Sequence, residues 1–285
     1  MKHESPLRYP GGKAKLSSYI QQVIMDNDLC GGVYIEPYVG GGSVALSLLY
    51  KDVVSRIIIN DKDRAIYAFW HSVLYETEAL CRLIKDTDVN MDEWIAQKEI
   101  QRHKDEEELL SVGFSTFFLN RTNRSGILKA GVIGGCSQSG TYKMDVRFNK
   151  ADLISRIQRI AEHSDRIEVR NNDAVELIKS VEVPNRLNTF VYFDPPYYVK
   201  GSGLYLNYYK DEDHQKIADL IFNLQDFKWL ITYDNVQFIR DLYQHYRSAV
   251  FELNYSASNS GKGQEIMIYS NNLQIPDVEI LMKSR

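Results

Sequence analysis

The chain has 285 residues, 44% of them apolar and 25% charged, with a net charge of −4. That is an ordinary globular balance, enough for one large α/β domain or one domain carrying a sizeable insertion. It excludes a spanning helix, which needs about 20 apolar residues in a row, and a disulfide framework, since Cys30, Cys81 and Cys136 are odd in number and scattered. No cysteine or histidine spacing suggests a metal, and the opening MKHESPLRYPGGK lacks the apolar core of a signal peptide, so a cytoplasmic protein is expected.

In chain order, helical patterns and short apolar runs alternate. A helix is expected over 13–25, a strand over Val33–Ile35, a helix over 43–49, a strand over Arg56–Asn60 and helical pattern over 63–84. After a break come a helix at 152–163, a strand at Ile167–Arg170, a helix at 174–180 and a strand at Phe190–Phe193. Helix 211–224, strand Trp229–Thr232, helix 236–245 and strands Ala249–Leu253 and Glu265–Tyr269 complete the series. Such alternation implies right-handed crossovers and a mostly parallel, seven-stranded sheet of the α/β class. The last two strands are joined by a Ser-, Asn- and Gly-rich stretch, which predicts an antiparallel hairpin at the sheet edge. Residues 71–165 break the rhythm, first helical and charged, then rich in Gly and Ser. They are expected to form an inserted, mainly helical subdomain between the two parts, 1–70 and 166–285, of a single catalytic domain.

The net charge argues against a polyanionic partner, but its distribution does not. From Leu119 to Lys150 there are six basic residues (Arg121, Arg124, Lys129, Lys143, Arg147, Lys150) against one acid, Asp145. On charge alone this segment is either a solvated face or a phosphate-binding one.

Two loops carry chemistry. The first, Glu36-Pro37-Tyr38-Val39-Gly40-Gly41-Gly42-Ser43, runs from a strand through glycines into a helix. Glycine there permits a tight turn and close approach of backbone to a ligand. An acid at the strand end repels a pyrophosphate but suits a cationic or hydroxyl-bearing ligand. Asp61 closes the next strand, where an acid holds ribose hydroxyls or, alternatively, caps the following helix. An adenosine ligand without phosphates fits both acids better than a dinucleotide does.

The second loop is Asp194-Pro195-Pro196-Tyr197, after the wholly apolar strand that ends at Phe193. The prolines fix their own φ, remove two backbone donors and hold Asp194 extended. The product is a rigid, acceptor-rich turn at the carboxyl end of a strand, where open α/β sheets bind ligands. A carboxylate and a carbonyl that accept the two hydrogens of a conjugated exocyclic amine localise the nitrogen lone pair for direct, in-line attack on an electrophilic methyl. Positioning and electrostatics suffice, with no metal. Tyr197 offers a face for a base extruded from the duplex.

Together these segments resemble the Dam-type (class alpha, D12) N6-adenine DNA methyltransferases over nearly the whole chain. The resemblance implies a Rossmann-like S-adenosylmethionine-dependent methyltransferase fold and a site-specific enzyme that methylates a flipped-out adenine. Asp194, Pro195, Pro196 and Tyr197 are then catalytic. Arg8-Tyr9-Pro10-Gly11-Gly12-Lys13 resembles the family's opening signature, which casts Tyr9 and Lys13 as cofactor-binding beside Glu36, Pro37, Gly40, Gly42, Asp61 and Asp194. Asp173, after the third strand, stands where many methyltransferases place a residue on the cofactor's adenine, and it stands equally where a helix cap is needed. Phe117 to Gly126 resembles the recognition segment, which adds Asn120 and Asn123 to Arg121, Arg124, Lys129, Lys143 and Arg147 as candidate DNA contacts. Arg124-Ser125-Gly126 replaces the Tyr/Phe-Asn-Gly of the close Dam enzymes, so their GATC target is not carried over.

The expected partner is double-stranded DNA, with a restriction endonuclease as a possible companion. The protein is expected to be a monomer or weak dimer, without membrane attachment, in a bacterial or phage-infected cell near the nucleoid. Two other readings compete: a methyltransferase of RNA adenine or a protein amide, and a cofactor-binding DNA-binding protein without catalysis. An Asp rather than an Asn before the two prolines disfavours the first, and an intact Asp-Pro-Pro-Tyr loop disfavours the second.

Overall fold

The computed structural model describes residues 4–8, 16–199, 209–254 and 262–276. Its strands are β1 (Val33–Glu36), β2 (Arg56–Asn60), β3 (Ile167–Arg170), β4 (Thr189–Phe193), β5 (Lys228–Asp234), β6 (Arg247–Asn254) and β7 (Lys262–Tyr269), ordered β3-β2-β1-β4-β5-β7-β6 in one sheet. β1 pairs in parallel with β2 and β4, and β4 with β5; β7 is antiparallel to both β5 and β6. The expected terminal hairpin is present. Of its two strands β6 lies at the sheet edge, opposite β3, and β7 is inserted between β5 and β6.

The helices are α1 (Leu16–Asp26), α2 (Ser43–Tyr50), α3 (Arg64–Tyr75), α4 (Thr77–Asp86), α5 (Met91–Arg102), α6 (Leu109–Thr122), α7 (Lys150–Ala161), α8 (Ala174–Ser180), α9 (Asp211–Phe222) and α10 (Gln237–Leu242). None of the described helices is long and apolar enough to cross a membrane. The chain divides into two compact units, one of Met1–Gly12, Gly40–Ser43 and Lys62–Asn171, the other of Lys13–Val39, Val44–Asp61 and Asn172–Arg285.

In the second unit the interior strands β1, β2, β4 and β5 are largely apolar on both faces because both are covered, while edge strand β6 is exposed at Arg247, Ser248 and Val250. Val33 and Ile35, Val191 and Phe193, Trp229 and Ile231, and Ile266 and Ile268 share one core with Leu177 of α8, Ile217 and Ile221 of α9 and Ile239 of α10. Tyr34 stacks on Phe190, their centroids 6.4 Å apart. The Tyr269 hydroxyl meets that of Tyr19 in α1 at 2.8 Å, which joins α1 to β7.

The first unit is helical over most of its length. α6 is buried nearly all round, and at Gly113 an added Cβ would stand 2.6 Å from the Ala68 carbonyl oxygen. Glycine therefore lets α6 approach the backbone of α3. Phe69 stacks on Phe117, and Phe148 closes on both Phe117 and Phe118 at 5.4 Å.

A single buried side chain ties the carboxyl ends of the sheet together. Asn60, fully buried at the end of β2, donates from Nδ2 to the Pro37 carbonyl at 2.9 Å and to the Asn172 carbonyl at 3.0 Å. Its Oδ1 accepts from the Asn172 amide at 2.9 Å. Each such bond contributes about 1 kcal/mol net, and buried partners left unmade cost more. Asn60→Ala is therefore expected to lower stability by about 2–4 kcal/mol, read as a reduced urea midpoint at unchanged m-value.

Candidate active site

Parallel pairing brings the carboxyl ends of β1, β2, β4 and β5 to one edge of the sheet. Antiparallel β7 brings its residue Glu265 there as well, in register with Asp234. Glu36, Asp61, Asp194, Asp234 and Glu265, far apart in sequence, thus belong to one end of one unit.

Asp194 follows β4 directly. Its Oδ1 accepts from the Thr232 hydroxyl at 2.8 Å, and Thr232 in turn lies 3.0 Å from the Tyr192 hydroxyl. With Thr232 donating to the carboxylate, Tyr192 donates to Thr232, and the relay orients Asp194 from within the sheet. Beyond the prolines, Asp234 accepts the amides of Tyr198 and Val199, one on each oxygen, at 2.9 and 2.7 Å. The Tyr197 hydroxyl donates to Glu265 Oε2 at 2.7 Å. Tyr197 is only 8% exposed: its hydroxyl turns inward, and it is a small remaining part of the residue, not an open face, that is left to bound a base. Burial, with the charges of Asp194 and Glu265, holds its phenol well above the usual range.

Glu36 is 5% exposed. Burial, and next the charge of Asp194, push its carboxyl well above the usual carboxylate range, with a further push from Asp61. Bonds from the Tyr34 hydroxyl, at 3.1 Å, and from the Ala45 amide in the first turn of α2 oppose the shift. The site is short of positive charge, and a cation would relieve it.

The glycine turn follows. Gly40 and Gly42 have φ of 44° and 61°, a region that side-chain-bearing residues avoid. Pro37 is buried, its carbonyl held by Asn60. Asp63, not Asp61, caps α3 by accepting from the Ala65 amide, so the capping alternative for Asp61 falls away. Asp173 does cap α8, accepting from the Val175 amide at 3.0 Å. The Tyr38 and Tyr209 hydroxyls meet at 2.9 Å, and the phenol of Tyr209 feels the charges of Asp173 and Asp61. These acids and hydroxyls suit a ligand that carries positive charge and hydroxyl groups. Tyr9 and Lys13 lie outside the described residues.

The basic segment divides into exposed and buried groups. Arg124, Lys129, Lys143 and Arg147 are exposed. Arg121 donates inward from Nε to the Arg147 carbonyl at 2.7 Å, and burial, with Arg8 and Arg156 nearby, draws its pKa down to about 10. It remains charged at neutral pH. Asn120, 2% exposed, clamps the backbone of Arg8, accepting its amide and donating to its carbonyl, both at 2.7 Å. Asn123, fully buried, donates to the carbonyls of Ile127 and Leu128 and accepts from Trp94 Nε1 at 2.7 Å. The side chains of both asparagines are thus engaged with their own chain.

The model of the D12 class N6 adenine-specific DNA methyltransferases matches residues 9–257. The chain belongs to this family. Its methyl donor is S-adenosylmethionine, and DNA is the family's substrate. Type II methyltransferase M.MjaIII of Methanocaldococcus jannaschii is 26% identical over 208 residues, 67% of this chain and 68% of the relative. Among solved structures, M. capricolum TrmK in complex with S-adenosyl-homocysteine gives a TM-score of 0.36 at 8% identity, covering 91% of this chain and 73% of its own. Precorrin 8w decarboxylase of Methanobacterium thermoautotrophicum gives 0.33 at 16% identity, covering 88% and 89%.

For this D12 enzyme, sequence reasoning missed the supports: Asn60, Thr232, Asp234, Glu265 and the Tyr38–Tyr209 pair. Each is a polar residue at the carboxyl end of a strand or facing one, and that placement was the available signal. Glu36 gives a test. Its raised folded-state pKa means that the free protein holds this proton more tightly than the unfolded chain does. The resulting stability is full below the unfolded carboxyl pKa and is lost as pH rises through the folded value. Glu36→Gln keeps the bonding pattern and removes the charge. The free variant is expected to unfold at a higher temperature at pH 8 and to lose this pH dependence, while S-adenosylmethionine binds about 10- to 100-fold more weakly, the size of a lost charge-assisted contact. Thermal unfolding with and without cofactor checks both.

Proposed function

We propose that the protein is a site-specific DNA adenine N6-methyltransferase that acts on an adenine extruded from the duplex. The observation that carries this reading is the supported Asp194-Pro195-Pro196-Tyr197 loop. Its carboxylate is oriented by Thr232 and its following backbone is fixed by Asp234.

On this reading Asp194 and a loop carbonyl accept the two hydrogens of the adenine amine and turn its lone pair toward the methyl. Pro195 and Pro196 keep the loop from yielding as the amine binds. Tyr197 bounds the base pocket, and a base is reached only by leaving the stack. S-adenosylmethionine, when bound, supplies an electrophilic methyl group on a sulfonium. Glu36, Asp61, Asp173 and Asp194 would hold it, with Pro37, Gly40, Gly42, Tyr9 and Lys13 as the other candidates. The amine nitrogen would take the methyl directly, the C–S bond breaking to leave a neutral thioether as the N–C bond forms, and Asp194 would receive the proton that the methylated amine sheds.

The inserted segment, approximately 71–165, is the recognition element. Arg124, Lys129, Lys143 and Arg147 meet phosphates or base edges from its surface, while Asn120 and Asn123 shape the segment from inside. Burial, and next the charge of Arg147 on Arg8 and of Arg8, Arg156 and Arg147 on Arg121, lowers the pKa of Arg8 and Arg121, a repulsion that a phosphate relieves.

Asp194→Ala is expected to reduce methyl incorporation into unmethylated plasmid DNA by at least about 10²- to 10³-fold, the scale of a lost transition-state contact, while DNA binding persists. Undiminished turnover would refute the role of Asp194, and label appearing in RNA or protein but not in duplex DNA would refute the substrate. Reversing Arg124 and Lys129 to Glu should weaken DNA binding and flatten its log–log salt dependence by about two. Unchanged affinity at low salt would make the segment a solvated face.

A further inference from the structure

Among the loop's supports, Asp234 and Glu265 face each other across β5 and β7 but do different work. Asp234 holds backbone: both of its oxygens accept amides, those of Tyr198 and Val199. Glu265 holds a side chain, with its Oε2 on the Tyr197 hydroxyl. The strand pairing puts Asp234 and Glu265 in direct register, so both carboxylates start from rigid sheet rather than from loop.

Glu265 is 1% exposed. A carboxylate so deeply buried is retained at a cost unless it is hydrogen-bonded. Its partner is a phenol that burial keeps protonated, so the phenol is the donor. A tyrosine ring fastened at Cβ by the backbone and at the hydroxyl by a fixed acceptor loses its freedom to swing. Tyr197 adjoins Pro196, and Asp194 lies near enough for its charge to act on the phenol.

We propose that Glu265 is a positioning residue for methyl transfer: by accepting the Tyr197 hydroxyl, it fixes the Tyr197 ring against which the target base is set. This rests on the reading of Tyr197 as a wall of the base pocket. Because Asp234 holds the backbone independently, loss of the Glu265 bond frees the ring without releasing the loop. The effect belongs on the chemical step with DNA and not on cofactor binding.

The test is a double-mutant cycle on the whole protein, with single-turnover methyl transfer to unmethylated plasmid DNA and the Kd for S-adenosylmethionine measured in parallel. Glu265→Leu and Tyr197→Phe should each slow the step by about tenfold, with the cofactor Kd unchanged. The double variant should be no slower than either single one. Glu265→Gln, which keeps an acceptor, should recover most of the rate. An undiminished rate in Tyr197→Phe, or additive losses in the double variant, would overturn the proposal. So would a loss in Glu265→Leu that appears only in the cofactor Kd. If Glu265→Leu does not fold, Tyr197→Phe and Glu265→Gln decide: a full rate in the first, or a tenfold loss in the second, overturns it. A wild-type protein that methylates no DNA would instead sink the underlying reading of the site, an outcome separate from any variant result.

Discussion

Negative charge is concentrated where the sheet ends. Parallel strands deliver their carboxyl ends to one edge, and this chain places an acid at or just beyond nearly every one: Glu36, Asp61, Asp194 and Asp234, joined by Glu265 from the antiparallel strand. Burying such groups together is unfavourable unless each is hydrogen-bonded or a cation is supplied. The hydrogen bonds are visible: Tyr34 and the Ala45 amide on Glu36, Thr232 on Asp194, two amides on Asp234 and a phenol on Glu265. A sulfonium cofactor carries the missing cation. The polar scaffold at this edge, with Asn60 tying three chain segments together, keeps the acids fixed before any ligand arrives. Such preorganisation is where electrostatic catalysis draws its advantage.

The first unit carries the opposite charge problem. Burial, and next the charges of neighbouring arginines, lowers the pKa of Arg8 and of Arg121, and Arg121 is held inward against the Arg147 carbonyl rather than offered to solvent. The exposed cations Arg124, Lys129 and Arg147 surround a segment whose shape is set by buried asparagines and glycine turns. A chain with net charge −4 thus carries a group of exposed cations in one unit and a group of acids at the sheet end of the other.

Much of this was legible in the sequence, for physical reasons. A strand covered on both faces is a continuous apolar run, so Arg56–Asn60 is found at its observed bounds; Ile167–Arg170, an edge strand of alternating burial, and helix Ala174–Ser180 are found at theirs too. Proline and glycine announced both loops. Three features were hidden. α6 is buried nearly all round, and a helix without a polar face shows no amphipathic period. The break between α3 and α4 at Glu76 has no proline or glycine to mark it. The insertion of β7 between β5 and β6 is a pairing choice over distance, invisible to local pattern. That choice also hid Glu265, whose part depends on its register with Asp234. Asn120 and Asn123 read as contacts in sequence, because buried and exposed asparagines look alike until their partners are known.

The position of β7 has a consequence for synthesis. Glu265 follows Tyr197 by 68 residues, and β5 gains its second neighbour only when β7 has been made. A chain emerging from the ribosome carries the glycine turn, the basic segment and the Asp-Pro-Pro-Tyr loop well before the strand that completes the loop's support. Partly translated copies therefore carry every motif of the family before the strand that holds the Tyr197 hydroxyl exists.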